Sequence, residues 1–251
     1  MTERHWFEEL ADHMGSAYLR YSFTKGTDQE VAFLIEELGL EPGMRVLDVG
    51  CGPGRHVHAL ASLGIESVGL DISRRFVEVA TELAPDGASF VCGDARAMEF
   101  DGEFDAAISL CQGAFGLGGP DVAADDPNNL GCDEAVLDGI RRALRPGGRV
   151  AVSAFSSYFQ VRWLEDHDRF DAATAVNHED TEVRDPSGRA VPAELWTTCY
   201  TPRELRMIVE RSGLVVSDIW SVSPGEYARH VPDLDHHEFL VVAGRAGVHL
   251  A

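Results

Sequence analysis

The chain has 251 residues, with 42 acidic side chains against 21 Lys and Arg, a formal charge of −21. An apolar fraction of 45% with 25% charged residues is an ordinary globular balance, enough to bury a core and incompatible with general disorder. The excess negative charge argues against nucleic acid and anionic membrane partners, and the sequence has no apolar run near the length of a membrane span. The start, Met1-Thr-Glu-Arg-His-Trp-Phe, lacks the basic and apolar segments of a signal peptide, so a cytoplasmic protein is expected. Cys51, Cys92, Cys111, Cys132 and Cys199 are odd in number, scattered and without a C-x-x-C pair, which suits free thiols.

Trp6, Phe7, Leu10 and Met14 recur at helical spacing, as do Val31, Leu34, Ile35 and Leu38. Thr27 and Glu30 predict a capping box opening the second helix. The aromatic and basic stretch from Tyr18 to Gly26 reads as a loop or turn between the two.

From Met44 the rhythm changes. Arg45–Val49, Glu66–Leu70, Ala88–Cys92, Phe104–Leu110 and Arg149–Ala154 read as strands, separated by helical stretches. Residues 133–145 form one of these, stopped by Pro146-Gly-Gly148. The alternation predicts βαβ units and a parallel sheet. Residues 155–200 break the pattern: Thr181–Asp185, Pro186-Ser-Gly188 and a run ending Leu195–Tyr200 predict a β-hairpin inserted over the sheet. Thr201-Pro-Arg-Glu204 then combines an N-cap, a proline at the first helical position and a capping-box glutamate. Two strands, Leu214–Val222 and His237–Ala243, close the chain. The expected organisation is one domain: N-terminal helices (1–40), a binding core (41–154), an insertion (155–200) and a C-terminal helix with strands (201–251).

The chemistry centres on Val46-Leu-Asp-Val-Gly-Cys-Gly-Pro-Gly-Arg-His56, a strand running through glycines into a helix. Glycines serve where backbone must approach a ligand closely, and the helix start offers free N–H groups. The spacing is G-x-G-x-G, and Arg55 stands where a dinucleotide fingerprint has its last glycine. Asp48 would repel a diphosphate but attract an ammonium group. Asp71 ends the second strand, where a carboxylate can accept from two ribose hydroxyls. Asp94 follows the third and can accept from an adenine amino group. Amino acid, ribose and adenine in a row describe S-adenosylmethionine.

With these residues the chain resembles the class I S-adenosylmethionine-dependent methyltransferases over about Gly43 to Arg149, and more loosely to Ala243. Asp48–Gly54, Gly69–Ser73, Gly93-Asp-Ala95, Phe104–Ser109 and Leu144-Arg-Pro-Gly-Gly148 look like successive family motifs in order. The resemblance implies an α/β, Rossmann-like three-layer sandwich with a seven-stranded, mostly parallel sheet and an antiparallel last strand, carrying the helical lid and β insertion. It implies that Gly50, Gly52 and Gly54 hold the methionine part, Asp71 the ribose and Asp94 the adenine, with Ile72, Ala95 and Leu110 beside them. Tyr18 and Tyr21 would close over the donor, and Arg20 or Arg55 would meet its carboxylate.

The acceptor expected is a small molecule with an N or O nucleophile, and the product S-adenosylhomocysteine. Tyr18, Gln112, Phe115, Tyr158 and Trp196 are the residues expected to line its site. His178 and His237 are candidate bases, with His230 behind them; His56 and His58 are expected to pack or face solvent. Asp105 is expected to serve a structural turn. Asp233-Leu-Asp-His-His-Glu238 has the spacing of no recognised metal site, so no metal is expected. A homodimer is left open, and the competing reading is a donor-binding sensor or assembly protein without transfer.

Overall fold

The structure is a computed structural model, and it describes residues 4–119 and 130–247; the outermost residues of the 1–40 and 201–251 segments lie outside these ranges. The first helix, α1 (Trp6–Met14), starts at an unexpected cap. The His5 side chain accepts from Phe7 N–H while Glu8 reaches back to the His5 N–H, a capping box built on histidine. Tight 3-10 turns over Gly15–Arg20 and Ser22–Thr24 occupy the expected loop.

The second helix, α2 (Thr27–Leu38), begins without the capping box expected at Thr27 and Glu30. Gly26 is its N-cap, at a point where a Cβ would come within 2.0 Å of Gly225 Cα. Thr27 instead donates to Thr24 O, at 3.1 Å. Glu30 turns inward, fully buried, accepting from His56 Nε2 (2.7 Å), Gly225 N–H (2.8 Å) and the Arg55 guanidinium. Three buried donors outcompete a local cap because an uncompensated buried charge is costly.

The core follows the βαβ reading: β1 (Arg45–Val49), α3 (Arg55–Ser62), β2 (Glu66–Asp71), α4 (Arg74–Glu82), β3 (Ala88–Cys92), β4 (Phe104–Ser109), α5 (Gly131–Ala143) and β5 (Leu144–Phe155). Pro146-Gly-Gly148 falls inside β5 rather than between helix and strand. Asp105 has the structural role expected of it, accepting from Arg45 N–H at 2.8 Å and pairing with Arg145.

After α6 (Ser157–Arg162), the insertion forms three antiparallel strands, β6 (Asp168–Asp171), β7 (Val176–Arg184) and β8 (Ala190–Thr198). The predicted hairpin is β7–β8. The next helix, α7 (Pro202–Arg211), has its Thr201–Glu204 capping box as read from sequence. The chain ends with β9 (Leu214–Ser223), β10 (Glu226–His230) and β11 (Glu238–Arg245).

The main sheet has the order β10-β9-β11-β5-β4-β1-β2-β3, with β1–β5 parallel and β11 antiparallel to β5 and β9. The fold is thus the Rossmann-like one expected, with eight strands in the sheet rather than seven. The additional edge strand, β10, is short and its register with β9 shifts, so periodicity had little to show. Two apolar clusters cover the sheet, one under α5 and α7, the other under α2 and α3. A third joins α1 to α4 and the insertion through Ala11, Met14, Phe76, Val183 and Ala193. That third cluster brings the N-terminal helix and the insertion together above the C-terminal ends of the parallel strands.

Candidate active site

In open α/β sheets, ligands bind beyond the carboxyl ends of the strands, where the order reverses. Here that point lies between β1 and β4. The glycine loop leaves β1 there, and its three glycines have φ values of +77°, +55° and +85°, a region that Cβ-bearing residues avoid. At Gly50 the approach is also tight, since a Cβ would sit 1.9 Å from the Gly113 carbonyl carbon in the segment after β4.

Asp71 is 5% exposed and braces this loop. One oxygen accepts from Gly52 N–H at 2.7 Å, the other from Ser73 N–H at 2.8 Å. Burial raises its pKa to about 6 despite those two donors. Asp48 is 2% exposed, and its Oδ2 makes no hydrogen bond. Burial pushes its carboxyl up to about 7. Asp94 is held by Arg96 through Nε (2.9 and 3.0 Å) and Nη2 (2.6 Å). Burial acts to raise the Asp94 pKa, but the Arg96 bonds prevail and hold it below the ordinary value.

Gly50, Asp71, Ile72, Asp94 and Ala95 line one narrow cleft of about 50 Å³, together with His5, Phe7 and Leu117. Five expected donor contacts therefore converge. Leu110 does not join them: it is 4% exposed and packs in the apolar cluster with Leu240 and Val242. Arg55 is also absent from the cleft lining. Its guanidinium is taken by Glu30, Thr27 Oγ1 (3.0 Å) and Cys111 Sγ (3.0 Å). Arg20 reaches away to Pro186 O, at 3.0 Å.

A larger cavity of about 690 Å³ adjoins the cleft and shares Phe7 and Leu117 with it. Trp6, Tyr18, Tyr21 and Phe23 come to it from the N-terminal segment, and Gln112 from the segment after β4. Gln112 and its neighbour Cys111 have φ values of +56° and +52°, strained for residues with a Cβ. The N-terminal segment is latched to this part of the chain, since His5 Nε2 and Trp6 Nε1 both donate to Leu117 O, at 3.0 and 3.2 Å. The Tyr21 hydroxyl accepts from Arg184 N–H of β7 at 3.4 Å, tying the same segment to the insertion.

Side-chain alternation decides what the insertion contributes. Glu179, Thr181 and Val183 of β7 and Leu195 and Thr197 of β8 face the cavity. His178 and Trp196, a cross-strand pair, lie on the opposite face with their rings stacked at 3.8 Å. There His178 Nε2 meets Glu194 at 3.2 Å, and Arg169 binds both His178 and Asp180. His178 and Trp196 are therefore corrected to outer-face residues. Phe115 and Tyr158 also move out of the site. Phe115 is fully buried, stacked on Tyr200 at 5.1 Å. Tyr158 is 40% exposed and borders a separate groove beside α6.

His237 does reach the cavity. Its Nδ1 is hydrogen-bonded to Ser223 Oγ at 2.8 Å, and its ring lies against Phe159 at 4.3 Å. Burial and the neighbouring His236 lower its pKa, which favours the neutral, proton-accepting form. His56 and His58 pack, on Glu30 and Ala80 O respectively. Sequence reasoning missed Glu238, at 4% exposure, along with Phe155, Ser223 and Glu226. Strand parity could have found the residues of β7 and β8, but nothing local marked the strand ends that deliver these four.

A methyltransferase-domain family model matches residues 40–213, which takes in the glycine loop, the acids at the ends of β2 and β3 and the whole insertion. The chain belongs to the class I S-adenosylmethionine-dependent methyltransferase family. It is 33% identical over 124 residues to a demethylmenaquinone methyltransferase of Renibacterium salmoninarum, covering 49% of this chain and 46% of that protein. The corresponding enzyme of Beutenbergia cavernae is 37% identical over 124 residues, covering 49% and 45%. The chain thus spans about half the length of the curated relatives it matches. The fold of the CcbJ methyltransferase from Streptomyces caelestis superposes with a TM-score of 0.76 at 18% identity, over 98% of this chain and 100% of that one. Among the described residues, no helix of the chain is long and apolar enough to cross a membrane.

Proposed function

We propose that the protein is a cytoplasmic enzyme that transfers a methyl group from S-adenosylmethionine to an N or O nucleophile of a small molecule. The observation that carries this reading is the adjacency of two spaces of different character. The glycine-lined cleft with Asp71 and Asp94 opens toward an aromatic cavity large enough for a small-molecule acceptor.

The residues present fit the donor. The unpaired oxygen of Asp48 suits an ammonium group, because a buried carboxylate without a partner is costly. Asp71 retains acceptor capacity on both oxygens for ribose hydroxyls while it fixes the loop. Asp94 keeps a role toward adenine by sharing lone pairs with Arg96. At about 50 Å³ the cleft is narrower than a nucleoside, so in this reading the segment after β4 withdraws on binding, carrying the latch from His5 and Trp6 with it.

When bound, the donor supplies an electrophilic sulfonium methyl. The chain's own contribution is alignment and exclusion of water, which is most of what an in-line displacement asks of a protein. Tyr18, Tyr21 and Trp6 cover the cavity, and Gln112 lines it from the segment after β4. In this reading neutral His237, hydrogen-bonded to Ser223, takes a proton from an acceptor that must lose one, supported by its position on the cavity wall and its lowered pKa.

Isothermal titration tests the reading. S-adenosylhomocysteine should bind in the micromolar range and NADH should not. The reverse preference would overturn it.

A further inference from the structure

The cavity beside the donor cleft carries a distinct charge pattern. Glu179, Glu226 and Glu238 face it, with His237 and, among the described residues, without a single Lys or Arg. Glu238 is the buried member. It is the first residue of β11, paired with Phe155 and Val222, and is 4% exposed. Its Oε2 has no hydrogen-bond partner, although the residue lines the cavity.

Each group packed around Glu238 leaves it unneutralised. Ser153 of β5 offers a hydroxyl, which carries no charge. Arg55 of α3 is the nearby cation, but Glu30 of α2 already pairs with it. A buried carboxyl with a free oxygen facing a space is held back from ionising, and a cationic N–H donor is the ligand group that most favours its charged form. The remaining wall is aromatic, with Trp6, Tyr18, Tyr21 and Phe155 offering faces that attract cations as well as apolar surface.

We propose that the acceptor is a basic amine on an apolar body, recognised as its ammonium by the carboxylates of this cavity, with Glu238 as its principal partner. This deepens the methyltransferase reading and rests on it for the transfer, though not for the recognition. A carboxylic acid would bring a further negative charge to an acidic wall, and a neutral alcohol would offer Glu238 a hydrogen bond without a charge. The balance of the step follows from the charge. The ammonium gives one proton to neutral His237, which passes it to solvent, and the freed nitrogen lone pair forms the N–C bond. The C–S electron pair goes to sulfur, so two cations become one methylammonium, one neutral thioether and one proton.

The test uses three indole compounds of similar shape: tryptamine, tryptophol and indole-3-propionate. Each is titrated by calorimetry at pH 7, with and without saturating S-adenosylhomocysteine. Tryptamine should bind roughly tenfold or more tightly than either other compound, the range of a charge-assisted hydrogen bond. Glu238→Gln should erase that preference while leaving tryptophol within about twofold. Equal binding of the three, failure of tryptamine to bind, or an unchanged preference in Glu238→Gln overturns the proposal. Should that variant misfold, Glu226→Gln at the exposed rim should reduce tryptamine affinity by about two- to threefold, a weak surface effect, and an unchanged affinity counts against the proposal. The wild-type selectivity stands independently of both variants. Absence of S-adenosylhomocysteine binding would sink the methyltransferase reading alone, since the amine preference is also read without it.

Discussion

The donor cleft and the acceptor cavity are built by opposite strategies. The cleft is narrow, its backbone fixed by glycines at positive φ, and Asp71 and Asp94 are both hydrogen-bonded to neighbours. The cavity is wide, its polar groups come from five separate stretches of chain, and one buried carboxylate there lacks a full set of partners. A ligand shared across a family can be met by rigid backbone at a strand end. A ligand particular to one protein is met by side chains on peripheral elements, which vary without disturbing the sheet.

The strongest way to break that contrast is to loosen what ties the two regions together. Glu30 joins α2, α3 and the β9–β10 turn through buried donors, and His56 and Arg55 hold its pKa below the ordinary value against the upward pull of burial. Glu30→Ala leaves Arg55 as an unpaired buried charge and should cost about 3–5 kcal/mol of stability by denaturant unfolding. Glu30→Gln should cost less. Equal stability of wild type and Glu30→Ala would mean the network does not hold the layers together.

Next in size is the donor rim itself. Asp71→Ala removes the acceptor of two backbone N–H groups and the proposed ribose partner. It should weaken S-adenosylhomocysteine binding by about 10- to 100-fold, the scale of charge-assisted bonds, while the acceptor probes change little. Loss of both together would erase the separation of cleft and cavity.

The division also explains what was legible in the sequence. The donor side is local: Asp48 and Gly50–Gly54 lie within seven consecutive residues, Asp71 ends a readable strand and Asp94 follows one by two residues. The acceptor side is not local. Glu238 meets the cavity only because β11 inserts between β5 and β9, a pairing that no spacing reveals. Phe115 was misread because proximity to the end of β4 does not say which way the ring turns, and it turned onto Tyr200. Glu30 was misread because a capping-box pattern is local while its winning partners are up to 195 residues away. Leu110 lies just past the end of β4, where strand parity no longer says which way a side chain turns, and it packs into the core.

A smaller effect concerns pH. In the folded protein burial raises Asp48 to about 7, above an unfolded value near 4. The folded state therefore binds the extra proton. Its stabilising contribution is complete below about pH 4 and is lost as pH rises through about 7. Glu238, also raised by burial to about 7, acts in the same direction. The protein without donor should then melt at a lower temperature at pH 8.5 than at pH 6.5. Asp48→Asn should flatten that slope and raise stability at pH 8.5 by about 1 kcal/mol, or roughly 2–4 °C, while weakening donor binding. A variant with an unchanged slope would show that Asp48 does not titrate in this window.

The finest discrimination lies within the insertion, between adjacent residues of β8. Leu195 faces the cavity, whereas Trp196 stacks on His178 on the other side of the same strand. Leu195→Ala enlarges the cavity wall and should change the apparent affinity for an acceptor by about three- to tenfold, a loss near 1 kcal/mol. Trp196→Ala removes a much larger side chain but should leave that affinity within about twofold, as substitutions away from a site do. Its cost should appear instead in the stability of the β7–β8 hairpin, where the stacked pair contributes of the order of 1 kcal/mol. If Trp196→Ala proved the more damaging to acceptor binding, the cavity would be on the other face of the insertion, and the alternation of β8 would have to be read one residue out of phase.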